Sequence, residues 1–180
     1  LVRITFRSTK CMKILTIDCE TTTYNKGNPF DKRNKLVMVG LKPLNDVPGC
    51  FSYCDRPITR DAIQLCLTDV DILVGFNIKF DIHWLMNIGV TFDNVKQIWD
   101  CQIAEFMLNS QNNPYPSLNE ALEKYGLPLK LDVVKTEYWD KNIDTDQIPV
   151  SILQEYLEYD LTGTEEVFKR QYEQLTGKQV

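Results

Sequence analysis

The fold prediction for this chain rests on the segment KILTIDCETT (residues 13–22). Residues 13–19 are apolar and β-branched, which predicts a strand buried within a sheet. Side chains two apart on a strand share a face, so Asp18 and Glu20 leave the sheet on one side while Cys19 points into the opposite layer. Adjacent carboxylates at a buried strand end repel each other and lose hydration, and a cation between them would relieve both costs. An exposed strand end is the alternative explanation.

A second segment, LVGFNIKFDIHWL (residues 73–85), predicts a strand that passes directly into a helix. Asn77 lies at the junction, where it either caps the helix or hydrogen-bonds a ligand. Asp81 follows four residues later. Its neighbours Phe80 and Trp84 are large and apolar, which favours a functional carboxylate over a solvated one.

A third segment, EYLEYDLTGT (residues 155–164), belongs to a predicted long helix. Tyr156 and Asp160 share one helical face, because positions four apart differ by about 40° around the axis. A tyrosine at the edge of the core explains this pair equally well when it is taken alone. The order of the three segments therefore carries more weight than any one of them.

The remaining chain alternates predicted strands and helices, which indicates an α/β fold. Ser117 and Glu120 form a capping box for one of the helices, and Pro149 precedes the last and longest one. The predicted strands are 13–19, 35–43, 50–54 and 71–77, and the predicted helices are 58–68, 79–89, 101–109, 117–126 and 149–175.

Composition limits the classes of function. With 43% hydrophobic and 25% charged residues among 180, the chain is typical of one globular domain, which we place at residues 12–180 after an N-terminal extension at 1–11. No apolar run is long enough to cross a bilayer, and we expect no membrane partner. The single histidine, His83, disfavours catalytic triads and nitrogen-rich metal sites, so any metal would have oxygen ligands.

The six cysteines favour a reducing compartment, since a chain of this size needs no disulfides to fold. Cys50 and Cys54 lack the companions that a zinc site requires. We therefore expect a cytoplasmic protein, in the cytosol of a bacterium or of a phage-infected cell.

The net charge of −5 is unusual for a protein that binds nucleic acid. Two divalent cations at a carboxylate site would add +4 and bring the total to −1. A local basic stretch comprises Lys26, Lys32, Arg33 and Lys35, for which a solvated loop is the alternative interpretation.

Asp18-x-Glu20, Asn77-x-x-x-Asp81 and Tyr156-x-x-x-Asp160, in this order, resemble the three motifs of the DEDD (DnaQ-like) 3′–5′ exonucleases. The tyrosine is typical of the DEDDy branch, and the chain is most similar to the proofreading domain of family-A DNA polymerases. The segment WDCQIAEFML (99–108) also resembles that family, and the likeness spans about 12–175. It implies a ribonuclease-H-like α/β fold with a five-stranded mixed sheet flanked by helices.

The resemblance also implies a role for each site residue. Two divalent ions, Mg²⁺ or Mn²⁺, would activate the attacking water and stabilise the leaving oxygen. Tyr156 would orient that water through its hydroxyl, since a phenol with a pKa near ~10 is a poor base at neutral pH. The implied metal ligands, which form the catalytic set together with Tyr156, are Asp18, Glu20, Asp81 and Asp160. The implied substrate contacts are Thr21 with the terminal 3′ hydroxyl, Tyr24 with terminal bases, and Asn77 and Phe80 with the nucleotide.

The function implied is hydrolysis at the 3′ end of single-stranded or frayed DNA, releasing nucleoside 5′-monophosphates during proofreading, replication or repair. RNA trimming or oligonucleotide degradation by the same site is one alternative, and an inactive nucleic-acid-binding module is another. The chain is expected to be a stand-alone enzyme, a subunit beside a separate DNA polymerase, or one domain of a larger polymerase.

Overall fold

The computed structural model describes residues 12–52, 58–129 and 132–180. The predicted extension at 1–11 and the end of the predicted strand at 50–54, including Cys54, lie outside these residues. The described chain contains a five-stranded sheet in the order β3-β2-β1-β4-β5. Its strands are β1 Ile14–Thr21, β2 Leu36–Pro43, β3 Gly49–Ser52, β4 Ile72–Gly75 and β5 Gln97–Asp100.

The sheet is mixed. β1 runs antiparallel to β2 and parallel to β4, and β5 is parallel to β4. The predicted α/β architecture with a five-stranded mixed sheet is therefore confirmed. The α-helices are α1 Arg60–Cys66, α2 Ile78–Asn87, α3 Cys101–Leu108, α4 Leu118–Lys124, α5 Val133–Glu137 and α6 Val150–Thr176.

Alternation along β1 divides the core into two layers. Leu15, Ile17 and Cys19 pack with residues of α1 and α2 on one face of the sheet. Ile14 belongs to the other face, where it packs with Val167 and further residues of α6. The two residues on either side of Cys19, Asp18 and Glu20, therefore share the opposite face, as predicted, and this face is the one covered by α6.

The helix boundaries follow local sequence. The Thr59 hydroxyl caps α1 by accepting a hydrogen bond from the Ala62 amide at 3.3 Å. The predicted capping box of α4 is present, since the Ser117 amide donates to Glu120 Oε2 at 2.6 Å and the Glu120 amide donates back to Ser117 Oγ at 3.2 Å. Among the described helices, none has the length and apolarity needed to cross a membrane.

Several short elements are not among those that the sequence predicts. The strand β5 is only four residues long, and the sequence predicts only that this segment leads into a helix. Residues 132–148 fold into α5 and the two short 3₁₀ turns Trp139–Lys141 and Thr145–Gln147. No periodicity in the sequence marks these turns.

A buried polar network joins the helices α3, α4 and α6. Glu105 accepts hydrogen bonds from Lys124 Nζ at 2.5 Å, Tyr125 Oη at 2.8 Å and Gln171 Nε2 at 3.0 Å. Burial alone would raise the pKa of Glu105, but the hydrogen bonds from these three partners outweigh it and lower the pKa. The network fixes α6 against α3 on the side of the sheet that carries the carboxylates.

Candidate metal centre and nucleic-acid site

Three carboxylates meet where the carboxyl end of β1 faces α6. Asp18, Glu20 and Asp160 each offer an oxygen, and these oxygens lie within 4.8 Å of one another. Glu20 and Asp160 are each only 7% exposed, whereas Asp18 is partly exposed. The structure thus brings together three of the four predicted metal ligands.

Asp81 approaches from the other helical layer. It lies in the first turn of α2, is 2% exposed, and is outside the group of three. Burial and then the charge of Asp18 raise the pKa of Asp81 well above its usual range, while hydrogen bonds from the Asp81 and Cys19 backbone and from the Cys19 side chain oppose part of the shift. Asp81 and Asp18 are therefore electrostatic neighbours on either side of β1.

The donor set fits hard divalent cations. All four candidate ligands are carboxylates, the ligand type that Mg²⁺ and Mn²⁺ prefer. Oδ1 of Asp81 is buried and has no hydrogen-bond partner among the described residues. An unsatisfied buried carboxylate oxygen is costly, and a cation would satisfy it. The residues at this position therefore fit a metal centre.

Tyr156 lies one turn before Asp160 on α6, as predicted. Burial raises its pKa far above the usual range, and the nearby charges of Asp160, Glu20 and Asp18 add to the shift. The phenol therefore stays protonated over the whole physiological range. It can donate a hydrogen bond, but it cannot act as a base.

Trp139 holds Tyr156 from the side. The two rings meet edge to face, with centroids 6.0 Å apart and planes inclined by 79°. The indole Nε1 of Trp139 donates to Oγ1 of the fully buried Thr145 at 3.1 Å. The orientation of Trp139 is thus fixed from within the core. Sequence reasoning missed this residue, because a lone tryptophan in a segment without periodicity carries no signal.

A cavity of about 220 Å³ opens beside Glu20. Thr21 and Phe80, both predicted substrate contacts, line it together with Trp139 and Lys26. Gly27 lines it as well and has φ +69°, and a Cβ there would lie 2.7 Å from Thr21 Oγ1. Only glycine lets the chain approach Thr21 so closely.

A second cavity of about 820 Å³ shares Lys26 and Trp139 with the first. Tyr24, the remaining aromatic substrate contact that was predicted, lines this cavity and is 53% exposed. Asp144 also lines it, and its Oδ1 accepts hydrogen bonds from the amide and, at 3.0 Å, from Oγ1 of Thr23, a residue that lines both cavities. The two cavities therefore form one continuous surface.

Asn77 is exposed, at the start of α2, and lines neither cavity. Its backbone is left-handed, with φ 58° and ψ 43°, and its side chain makes no capping hydrogen bond. The N-cap alternative is therefore wrong for the side chain. The Asn77 amide donates instead to Asp100 Oδ1 at 3.1 Å, and the same oxygen caps α3 through the Gln102 amide at 2.9 Å.

Neither a protein-family model nor a curated protein matches the sequence. Solved structures do. A structure described as the apo form of a nuclease is 18% identical, with a TM-score of 0.65 over 90% of this chain and 72% of that one. NrnC of Brucella melitensis with bound Mg²⁺ is 14% identical, with a TM-score of 0.63 over 91% and 74%. NrnC bound to pGG is 16% identical, with a TM-score of 0.60 over 91% of this chain and 74% of that one.

The family B DNA polymerase of Pyrobaculum calidifontis, a hyperthermophilic archaeon, is 18% identical, with a TM-score of 0.58 over 89% of this chain. The match spans 24% of the polymerase chain, so it concerns one part of that protein. Together these similarities show that the chain has the ribonuclease-H-like α/β fold found in nucleases. At this level of identity they establish the fold and no particular substrate.

Proposed function

We propose that the protein is a metal-dependent 3′–5′ exonuclease that hydrolyses phosphodiester bonds at the 3′ end of single-stranded or frayed DNA. The observation that carries the proposal is the meeting of Asp18, Glu20 and Asp160 within 4.8 Å, with Asp81 beside Asp18, on a ribonuclease-H-like fold. One structural neighbour, NrnC of Brucella melitensis, has been solved with bound Mg²⁺, which supports the same cofactor here.

Two divalent cations, Mg²⁺ or Mn²⁺, would supply Lewis-acid stabilisation of the attacking and leaving oxygens when bound. Asp18, Glu20 and Asp160 would hold one of them. Asp81 would hold the second together with Asp18. The raised pKa of Asp81 means that the carboxyl releases its proton when a cation binds, so affinity should increase with pH.

The chain's own residues would place the substrate and the water. The Tyr156 hydroxyl, held in its protonated form, would donate a hydrogen bond that orients the attacking water. Thr21 and Phe80 would contact the terminal nucleotide in the smaller cavity, and Tyr24 would stack on bases in the larger one. Asn77, at the exposed start of α2, would reach the nucleotide from outside these cavities.

A second substrate class has support of its own. The structure of NrnC bound to pGG supports oligonucleotide degradation as an alternative for this fold and site, and RNA trimming by the same residues is a further form of that proposal. The predicted similarity to family-A proofreading domains, a role in replication or repair, and a separate polymerase partner remain proposals. An inactive binding module is less well supported, since such a module has no use for the buried, like-charged cluster of Glu20 and Asp160.

The test compares 5′-labelled DNA and RNA strands of one sequence, digested with Mg²⁺, Mn²⁺ or EDTA. We expect a ladder that shortens from the 3′ end, requires a divalent ion and disappears in Asp18→Ala. Asp61→Ala, which removes an exposed carboxylate with a 91% accessible side chain, is the matched control. Absence of metal-dependent cleavage of both strands by the wild type would overturn the proposal, and faster cleavage of RNA would favour the alternative substrate.

A further inference from the structure

The loop between β1 and β2 is held rigidly against α2. The indole Nε1 of Trp84 donates to the Gly27 carbonyl at 3.1 Å, and Asn87 Nδ2 donates to the Pro29 carbonyl at 2.7 Å. Since Trp84 and Asn87 lie in the second half of α2, the loop follows this helix away from the carboxylates. Such anchoring gives the loop a fixed outer surface.

A buried asparagine fixes the loop from inside. Asn34 is 8% exposed, and its Nδ2 donates to the Tyr24 carbonyl at 2.7 Å and to the Asn28 carbonyl at 2.9 Å. One side chain therefore joins the two ends of the turn that carries Tyr24. The conformation of the loop is set before any ligand arrives.

The outer surface of this rigid loop displays aromatic rings. Phe30 is 74% exposed, and its ring centroid lies 5.4 Å from that of His83 on α2. Tyr24 is 53% exposed, and the Arg33 guanidinium lies over its ring, 4.4 Å from the centroid. Single exposed apolar residues are common, but two aromatic side chains at the surface of one anchored loop are suited to stacking.

The same loop also carries cationic side chains. Lys26 and Lys32 are both exposed, and no carboxylate of the described chain forms an ion pair with either. Arg33 pairs with Asp31 at 2.6 Å, which fixes the guanidinium over Tyr24. In a protein with a net charge of −5, this surface is locally positive and complements a phosphate backbone.

The surface continues from the catalytic cavities. Tyr24 and Lys26 line the larger cavity, and a Cβ on Gly27 would lie 3.2 Å from the Phe80 ring, near the start of α2. From Phe80 to Asn87 the helix rises about 10 Å, which matches roughly three stacked nucleotides. Phe30 contacts His83, about 4.5 Å along the helix axis from Phe80, and unlike Tyr24 it lines neither cavity.

We propose that this loop surface binds the nucleotides upstream of the 3′ end of a single-stranded substrate, and the inference rests on the proposed function. Bases stack on the Tyr24–Arg33 pair nearer the site and on the Phe30–His83 pair farther away. Lys26 and Lys32 contact phosphates of this segment. The surface therefore favours longer single strands over dinucleotides.

The first test measures kcat and KM of Phe30→Ala on a dinucleotide and on a single strand of about ten nucleotides. We expect KM for the longer strand to rise about tenfold, because one stacking contact is lost, with kcat and the dinucleotide kinetics unchanged. The control is Tyr115→Ala, which removes an aromatic side chain that is 81% exposed in the loop between α3 and α4. Its kcat and KM should be unchanged on both substrates.

The second test measures binding of the same labelled strands in EDTA by fluorescence anisotropy, which requires no cleavage. Lys32→Ala should weaken binding and lower the slope of log K against log salt by about 0.7. Lys96→Ala, an exposed lysine paired with Asp71 at the start of β5, is the control. Both Phe30→Ala and Lys32→Ala alter exposed side chains, so unchanged melting temperatures are expected to confirm folding.

The two proposals fail in different ways. If the wild type cleaves both substrates and Phe30→Ala binds and cleaves the long strand normally, the loop proposal is overturned and the exonuclease stands. If no substrate is cleaved but both variants still weaken binding of the long strand in EDTA, the loop surface is supported and the enzymatic proposal is overturned.

Discussion

Gly40 lies directly opposite Asp18 in the antiparallel ladder between β1 and β2. The helix α6 packs on this glycine so closely that a Cβ would lie 2.6 Å from Leu161 Cδ1 and 2.9 Å from Leu157 Cγ. Leu161 follows Asp160 in the chain. The missing side chain at Gly40 therefore sets how near Asp160 can approach Asp18.

We expect Gly40→Ala to separate α6 from the sheet and to lower metal affinity by on the order of tenfold, since overpacking displaces Asp160 from Asp18. Overpacking of this kind costs roughly 1–3 kcal/mol of folding free energy. Isothermal titration with Mn²⁺ and thermal unfolding would measure the two effects. Gly163→Ala is the control: this residue lies on α6, where an added Cβ would be 3.3 Å from Leu122 Cδ2, and the change should leave metal affinity intact. Normal metal binding by Gly40→Ala would contradict the role of this contact.

Tyr156→Phe should lower kcat by on the order of a hundredfold, since it removes one positioned hydrogen-bond donor. Metal affinity should change little, because the phenol is not a ligand in the proposed site. Tyr159→Phe, an exposed tyrosine on the same helix, should behave as the wild type. A large loss of metal binding in Tyr156→Phe would refute the proposed role.

Trp139→Ala should lower kcat by about tenfold through the loss of the edge-to-face contact that orients Tyr156. Because Trp139 acts on this step through Tyr156, the same change in a Tyr156→Phe background should lower kcat much less. Trp139→Phe should restore part of the activity. Equal losses of kcat in both backgrounds would show that Trp139 acts by another route.

Glu105→Gln should weaken the dependence of the melting temperature on pH in the acid range. The lowered pKa of Glu105 means that its stabilising effect is present above the unfolded value of about 4.3 and is lost as pH falls through the folded value. The wild type should therefore melt higher than the variant near neutral pH, and the difference should shrink below about pH 4. Melting curves over a pH series would check this, and a difference that grows in acid would contradict it.

The parts of the site that could be predicted from sequence are those that obey a local period. The period of a strand places Asp18 and Glu20 on one face, and the period of a helix places Tyr156 above Asp160. These rules need no knowledge of the partner elements. The alternation of strands and helices indicates the α/β class, and the resemblance to a known family adds the five-stranded mixed sheet and a role for each residue.

The parts that could not be predicted depend on contacts between distant residues. Trp139 reaches the site because Asp144 is tied to Thr23, 121 residues away in sequence. For Asn77 the sequence leaves open a helix cap or a ligand contact, and its left-handed backbone instead directs the amide toward Asp100. No local pattern encodes either contact.

The candidate ligands come from both sides of the sheet, with Asp81 on α2 and Asp160 on α6. A pair of cations shared through Asp18 would therefore crosslink three layers of the molecule: α2, the sheet and α6. Hydrogen exchange should show the consequence: α2 and α6, which lie in separate cores, should gain protection together on metal addition. Without metal, repulsion among the carboxylates would make the carboxyl end of β1, where it meets α6, the first region to unfold locally.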